Sequence, residues 1–120
     1  MNSNSYLDEN LIVDLTFEFA NEIIDFSEQL KATKNFILQD QLLRCGTSIG
    51  AQVREAQNAE SIADFIHKFK IAAKEADEAR YWLLLCNHSN YPDPNNLLIK
   101  LESIQKIINK IISTSKKRMK

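Results

Sequence analysis

The sequence predicts an all-α protein, an antiparallel up-and-down four-helix bundle, and three observations lead to that fold class. Only two glycines and two prolines occur in 120 residues, too few for the many turns that a sheet requires. Both prolines, Pro92 and Pro94, fall in one segment with Asn90, Asp93, Asn95 and Asn96, so the chain has one strong break. Elsewhere apolar residues recur at alternating steps of four and three, the spacing that keeps one helix face turned towards a neighbour. With 44% hydrophobic residues, a chain of this length holds one core and one domain. Residues of about 8–113 read as the bundle, 1–7 as a flexible start and 114–120 as a flexible basic tail.

The first helix is expected over about residues 8–31. Ile12, Thr16, Phe19, Ile23, Phe26 and Leu30 form its main seam, and Val13, Phe17, Ala20 and Ile24 form a second beside it. Two adjacent seams make an apolar face wider than one neighbouring helix covers, so Phe17 and Ile24 are candidates for a contact between subunits. The second helix, about 35–58, carries Leu38, Leu42, Cys45, Ile49 and Ala56 on one seam, interrupted by Gln52. Leu43, Gly46, Gly50 and Val53 make another. Glycine inside a helix costs about 0.5–1 kcal/mol relative to alanine. Two of them four apart on one face therefore mark Gly46 and Gly50 as positions of close packing or of an interface. Arg44, Gln52 and Arg54 on the same helix argue against a membrane reading of Gly-x-x-x-Gly.

Ser61, with Asp64 three residues later, reads as the cap of a third helix over about 61–87. Its seam is Ile62, Phe65, Phe69, Ala72, Ala76, Ala79 and Leu83, and the alanines are expected to pack against the glycines of the second helix. Tyr81 and Trp82 read as core or interface. Asp93 followed by Pro94 reads as an N-cap with proline at the first helical position. The last helix, about 94–113, then shows Leu97, Leu101, Ile104, Ile108 and Ile111 in the same stepping.

Charge is distributed unevenly along the chain. Residues 1–35 hold seven acidic and two basic side chains (2 − 7 = −5), and residues 91–120 hold two acidic and seven basic (7 − 2 = +5). Such polarity makes the first and last helices attract one another, within a subunit or across a boundary. It also leaves Lys116, Lys117, Arg118 and Lys120 as a basic tail, with Lys106 and Lys110 upstream and Lys68, Lys70 and Lys74 as a lesser patch. No apolar run reaches the length of about 18 residues that a membrane span needs, and Met1–Ser5 lacks a basic then apolar leader. A soluble cytoplasmic protein is expected, with Cys45 and Cys86 as buried reduced thiols.

The inventory for catalysis is thin. His67 and His88 are not spaced as metal ligands on one helical face. Cys86 and His88, two apart, diverge on a helix. The chain has no phosphate-binding glycine loop and no nucleophile elbow. Glu75, Asp77 and Glu78 are flanked by Lys74 and Arg80, a pattern that reads as solvated ion pairs. No enzyme activity, metal or cofactor is expected.

The stretch from Gln41 to Phe65, together with Leu11–Asp14, Glu75 and Tyr81–Trp82, resembles the four-helix-bundle proteins of the 23S rRNA intervening-sequence protein family. Arg44, Ser48, Ile49, Ala51, Glu55, Asp64 and Phe65 occupy the positions of the family motif, while Cys45 stands where serine is frequent and Gln52 where asparagine is common. The resemblance implies a small bacterial protein that assembles as a homopentamer. Some members are encoded within insertions in large-subunit rRNA genes. The family is also similar to the accessory variability protein of diversity-generating retroelements, a basic pentameric barrel that binds nucleic acid and works with a reverse transcriptase. This chain differs from that protein in its pI near 6.1. Two functional expectations follow. One is a homo-oligomeric ring with electrostatic RNA or DNA association. The other is an oligomeric scaffold or protein-interaction module in which the basic residues balance the acidic first helix.

Overall fold

The structure, a computed structural model, describes residues 3–119, with side chains from residue 9 onward. Four helices follow one another: α1 (Ser3–Leu30), α2 (Phe36–Ala56), α3 (Ile62–Leu85) and α4 (Asn95–Arg118), with a short 3-10 turn at Lys31–Thr33. No strand occurs among the described residues. Each helix packs on its sequence neighbours and α4 closes back onto α1. The bundle is therefore close to square in section, 50 × 22 × 19 Å overall.

The seams read from the sequence are the core. Ile12, Thr16, Phe19, Ile23, Phe26 and Leu30 of α1 are all buried, as are Leu97, Leu101, Ile104, Ile108 and Ile111 of α4. Thr16 enters the core at little polar cost because its Oγ1 donates to the Ile12 carbonyl at 2.7 Å. Ile62, expected on the α3 seam, is instead 42% exposed, and Ile66 is buried. Ile62 opens the helix at the rim of the bundle, where no neighbour covers it.

Local chemistry ends each helix. The 3-10 turn after α1 closes with Lys34 in the left-handed region, φ 60°. Asn35 then caps α2, its Oδ1 accepting from the Leu38 amide at 3.2 Å. The Asn35 Nδ2 donates to the Tyr91 hydroxyl at 3.3 Å, which ties the α1–α2 turn to the α3–α4 loop. Ser61 Oγ accepts from the Asp64 amide at 3.0 Å, and Asp64 accepts from the Glu60 amide at 3.2 Å. Asp93 Oδ1 accepts from the Asn95 amide at 3.0 Å, but the N-cap position of α4 falls on Pro94, one residue later than expected.

Three expectations need correction. The glycines of α2 face α1 and not the alanines of α3. A Cβ on Gly46 would lie 2.8 Å from Ile23 Cγ2, and one on Gly50 would lie 3.2 Å from the Thr16 carbonyl oxygen. Second, α4 does not end near residue 113; it runs as helix to Arg118 because Ser115 continues the stepping of Ile108 and Ile111 and is buried. Lys116, Lys117 and Arg118 form its last turn, where the helix dipole favours cations. At the other end α1 already runs from Ser3, earlier than expected for a stretch free of glycine and proline stops. The rest of the expected flexible start, residues 1–2, lies outside the described residues, as does Lys120.

The close approach at Gly46 yields a stability prediction. Gly46→Ala gains about 1 kcal/mol of helix propensity but forces a methyl group against the branched, fully buried Ile23, an overpacking that costs about 1–3 kcal/mol. Urea denaturation should show a net loss of about 1 kcal/mol, and Ile23→Val in the same chain should restore part of it. A Gly46→Ala protein more stable than the parent would show that α1 and α2 do not meet as closely as described.

Candidate functional site

Nucleophilic and metal chemistry have little to build on here. Among the described residues no group of three or more His, Cys, Asp or Glu is placed to hold a metal ion. His67 and His88 are exposed. Both thiols are buried and free. Burial pushes Cys45 up to about 12 and Cys86 up to about 11, so neither is a thiolate near neutral pH.

The family-motif residues have structural placements. Arg44 projects from α2 to α3, where Nη1 meets Glu75 Oε2 at 3.2 Å and Nη2 meets Glu78 Oε2. Trp82 Nε1 donates to the same Glu78 oxygen at 3.0 Å. The tryptophan hydrogen bond and then the guanidinium hold the Glu78 carboxyl below the usual carboxylate range, and Glu78 in turn raises Arg44. Lys74 and Arg80, which flank these carboxylates in sequence, make no ion pair with them among the described residues; Arg44 of α2 takes that place. Asp77 faces α4 instead and accepts from Gln105 Nε2 at 2.9 Å. A second tie joins Glu55 to Lys68 at 3.4 Å. Ile49 is in the core, the Phe65 ring packs tilted against Phe69 with centroids 4.8 Å apart, Ser48 is half-buried and Ala51 is exposed.

The second seam of α1 remains open. Phe17 is 57% and Ile24 49% exposed. Phe17 borders a groove between α1 and α2 of about 120 Å³ whose walls include Val13, Ala20, Thr47, Gly50, Ala51 and Arg54; Ile24 lies two turns further along α1, outside that lining. The close approach at Gly50 creates this groove, since small residues on both helices leave a concave floor. Apolar surface of this kind, rimmed by polar groups, is the usual mark of a contact site.

The basic candidates divide. Lys106 pairs with Glu102 at 3.5 Å on its own helix, and Lys100 pairs with Glu22, joining the basic α4 to the acidic α1 within one subunit. Lys110 also has a partner. Lys116, Lys117 and Arg118 stand exposed on the final turn of α4. Arg118 also helps line a cavity of about 260 Å³ at that end of the bundle, with Glu9, Ser61, Phe65 and Ser115. Sequence reasoning missed the Arg44–Glu78 pair, 34 residues apart, for which no local signal exists. The four-residue step from Glu78 to Trp82 was visible.

Fold and surfaces define a small all-α bundle protein whose α2 is latched to α3 by one arginine and whose α1/α2 face carries an open apolar groove. The family model described as 23S rRNA-intervening sequence protein matches residues 8–113, and the chain belongs to that family. It is also similar to a crystal structure of a protein of unknown function from the S23 ribosomal protein family of Bacteroides thetaiotaomicron VPI-5482. The two are 39% identical with a TM-score of 0.84, over 88% of this chain and 98% of that one. No curated protein matches the chain.

The Arg44 latch gives a pH prediction. Because the folded Glu78 carboxyl is held below its ordinary value, its interactions stabilise the fold at neutral pH and are lost as pH falls through the carboxylate range. Glu78→Gln keeps the size and removes the charge. It should lower stability at pH 7 by about 0.2–1 kcal/mol, the range for partly exposed pairs, and flatten the loss of stability between about pH 5 and pH 3. An acid limb identical to that of the parent would refute the assignment.

Proposed function

We propose that this chain is a non-enzymatic building block that assembles with copies of itself into a closed ring, five being the number that the family resemblance implies. The observation that carries this reading is the α1/α2 groove. Phe17 lies in the open beside a floor of Ala20, Thr47, Gly50 and Ala51, and Ile24 is exposed further along the same seam. Among the described residues 23 hydrophobic side chains are buried, and the exposure of Phe17 and Ile24 beside that core suits a contact surface. Buried, poorly ionised thiols and widely separated histidines support a role without covalent chemistry.

Replacing Phe17 with Asp puts a charge in the proposed contact without touching the core. Light scattering at micromolar concentration should show an oligomer for the parent chain and a monomer for Phe17→Asp, with equal helicity by circular dichroism. A parent chain of monomer mass would sink the assembly.

Nucleic acid is a second reading, supported by one observation. The helix continues to Arg118, so Lys116, Lys117 and Arg118 are presented from an ordered turn, and a ring would multiply such turns into linked weak sites. Binding of this kind neutralises phosphates and falls steeply with salt. Ser115 is buried, so the informative variant replaces Lys116, Lys117 and Arg118 with Gln and leaves the helix at full length. Titrations of structured RNA and of duplex DNA across a salt series should show weaker binding and a shallower salt slope for this variant. Absence of binding by the parent chain at low salt would leave the scaffold reading alone.

A further inference from the structure

We propose that the α1/α2 groove of one copy receives the apolar patch on the α2/α3 face of the next copy, so that subunits join head to tail and not groove to groove. This rests on the self-assembly reading and names the partner surface that the reading leaves open.

The patch is set by the register of α2 on α3. Arg44 meets Glu75 and Glu78. Ile37 lies two helical turns before Arg44 and Leu85 two turns after Glu78, so the antiparallel register carries both to the same end of this face, beyond the latch. Ile37 is 75%, Tyr81 57% and Leu85 42% exposed, and Tyr81 stands edge-on to Trp82 at 5.2 Å. These are large projecting side chains. The groove offers the opposite relief, a floor of small residues, and large knobs over small-residue holes are how helices interlock.

Charge points to the same pairing. Two grooves brought face to face would set α1 against α1, and residues 1–35 carry −5, so like charges would meet. On the outer face of α3, about two and three turns before Tyr81, stand Lys74 and Lys70. Both are exposed and without an ion pair among the described residues. Docked on the neighbour's groove, they would meet the acidic α1.

Closure favours this arrangement as well. The α1/α2 and α2/α3 faces share α2, and in a square bundle their outward directions differ by about 90°. A heterologous contact between faces so related turns each copy towards a ring of about four, or of five if the angle widens to about 108°. The opposite faces, α1/α2 and α3/α4, point about 180° apart and would give an open stack.

Sedimentation velocity on the full chain tests the pairing with two variants, Phe17→Asp in the groove and Leu85→Asp in the patch. Each alone should be a folded monomer at a concentration where the parent assembles. Mixed in equal amounts they should form a dimer, because one keeps the patch and the other the groove. If the parent itself is monomeric, the assembly reading falls and takes this inference with it. If the parent assembles and Leu85→Asp assembles equally well, only this inference falls. If both variants are monomeric and remain so when mixed, the head-to-tail contact is wrong. Should either variant lose helicity, Phe17→Ser and Leu85→Ser are read by the same outcomes.

Discussion

The approach of α2 to α1 at Gly46 and Gly50 is the constraint on which the rest of the structure depends. With no Cβ at either position, the backbone of α2 comes close to the Thr16 carbonyl and to Ile23, nearer than ordinary side chains allow. That closeness has two consequences. Ile23 and Thr16 are sealed into the core at 0% and 1% exposure. The flanking Phe17 is pushed to the edge of a shallow channel floored in part by Gly50. Packing and surface thus have one cause, and a substitution that filled the contact would alter both.

Where α1 and α2 meet by absence of side chains, α2 and α3 meet by charge. Arg44 spreads its two terminal nitrogens over Glu75 and Glu78, and Trp82 holds Glu78 from the other side. Partly exposed ion pairs add little stability singly. Their geometric effect is larger, because a guanidinium bridging two carboxylates one turn apart admits only one sliding position of the helices. The same register carries Ile37 and Leu85 to the same end of the α2/α3 face. A polar latch thereby determines the layout of an apolar patch that it does not touch.

The distribution of charge along the chain also acquires a physical use. The acidic first helix and the basic last helix are neighbours in the bundle, and Lys100 reaches Glu22. Much of the basic charge of α4 is therefore answered within the subunit, by Glu22 and by Glu102. Among the described residues, the basic side chains without an ion pair include those on the last turn of α4, Lys70 and Lys74 of α3, and Lys34, Arg54 and Arg80. This division suits a body whose contacts are directed by charge.

By itself the sequence determined the fold class, because four-three stepping, scarce glycine and a single proline break are local signals that each helix carries alone. The seams of α1 and α4, the cap at Ser61 and the burial of Cys45 and Cys86 were legible for the same reason. The open seam of Phe17 and Ile24 was legible as excess apolar width. Which helix the glycines face was not, since Gly46 and Gly50 present the same spacing whether α1 or α3 lies beyond them; only the handed order of helices around the bundle decides it. The end of α4 was misread because Ser115 looks polar in sequence, yet it holds a core position one step past Ile111. The pairing of Arg44 with Glu75 and Glu78 depends on the relative shift of two antiparallel helices, a quantity that no single stretch of sequence encodes. Tertiary packing decided these.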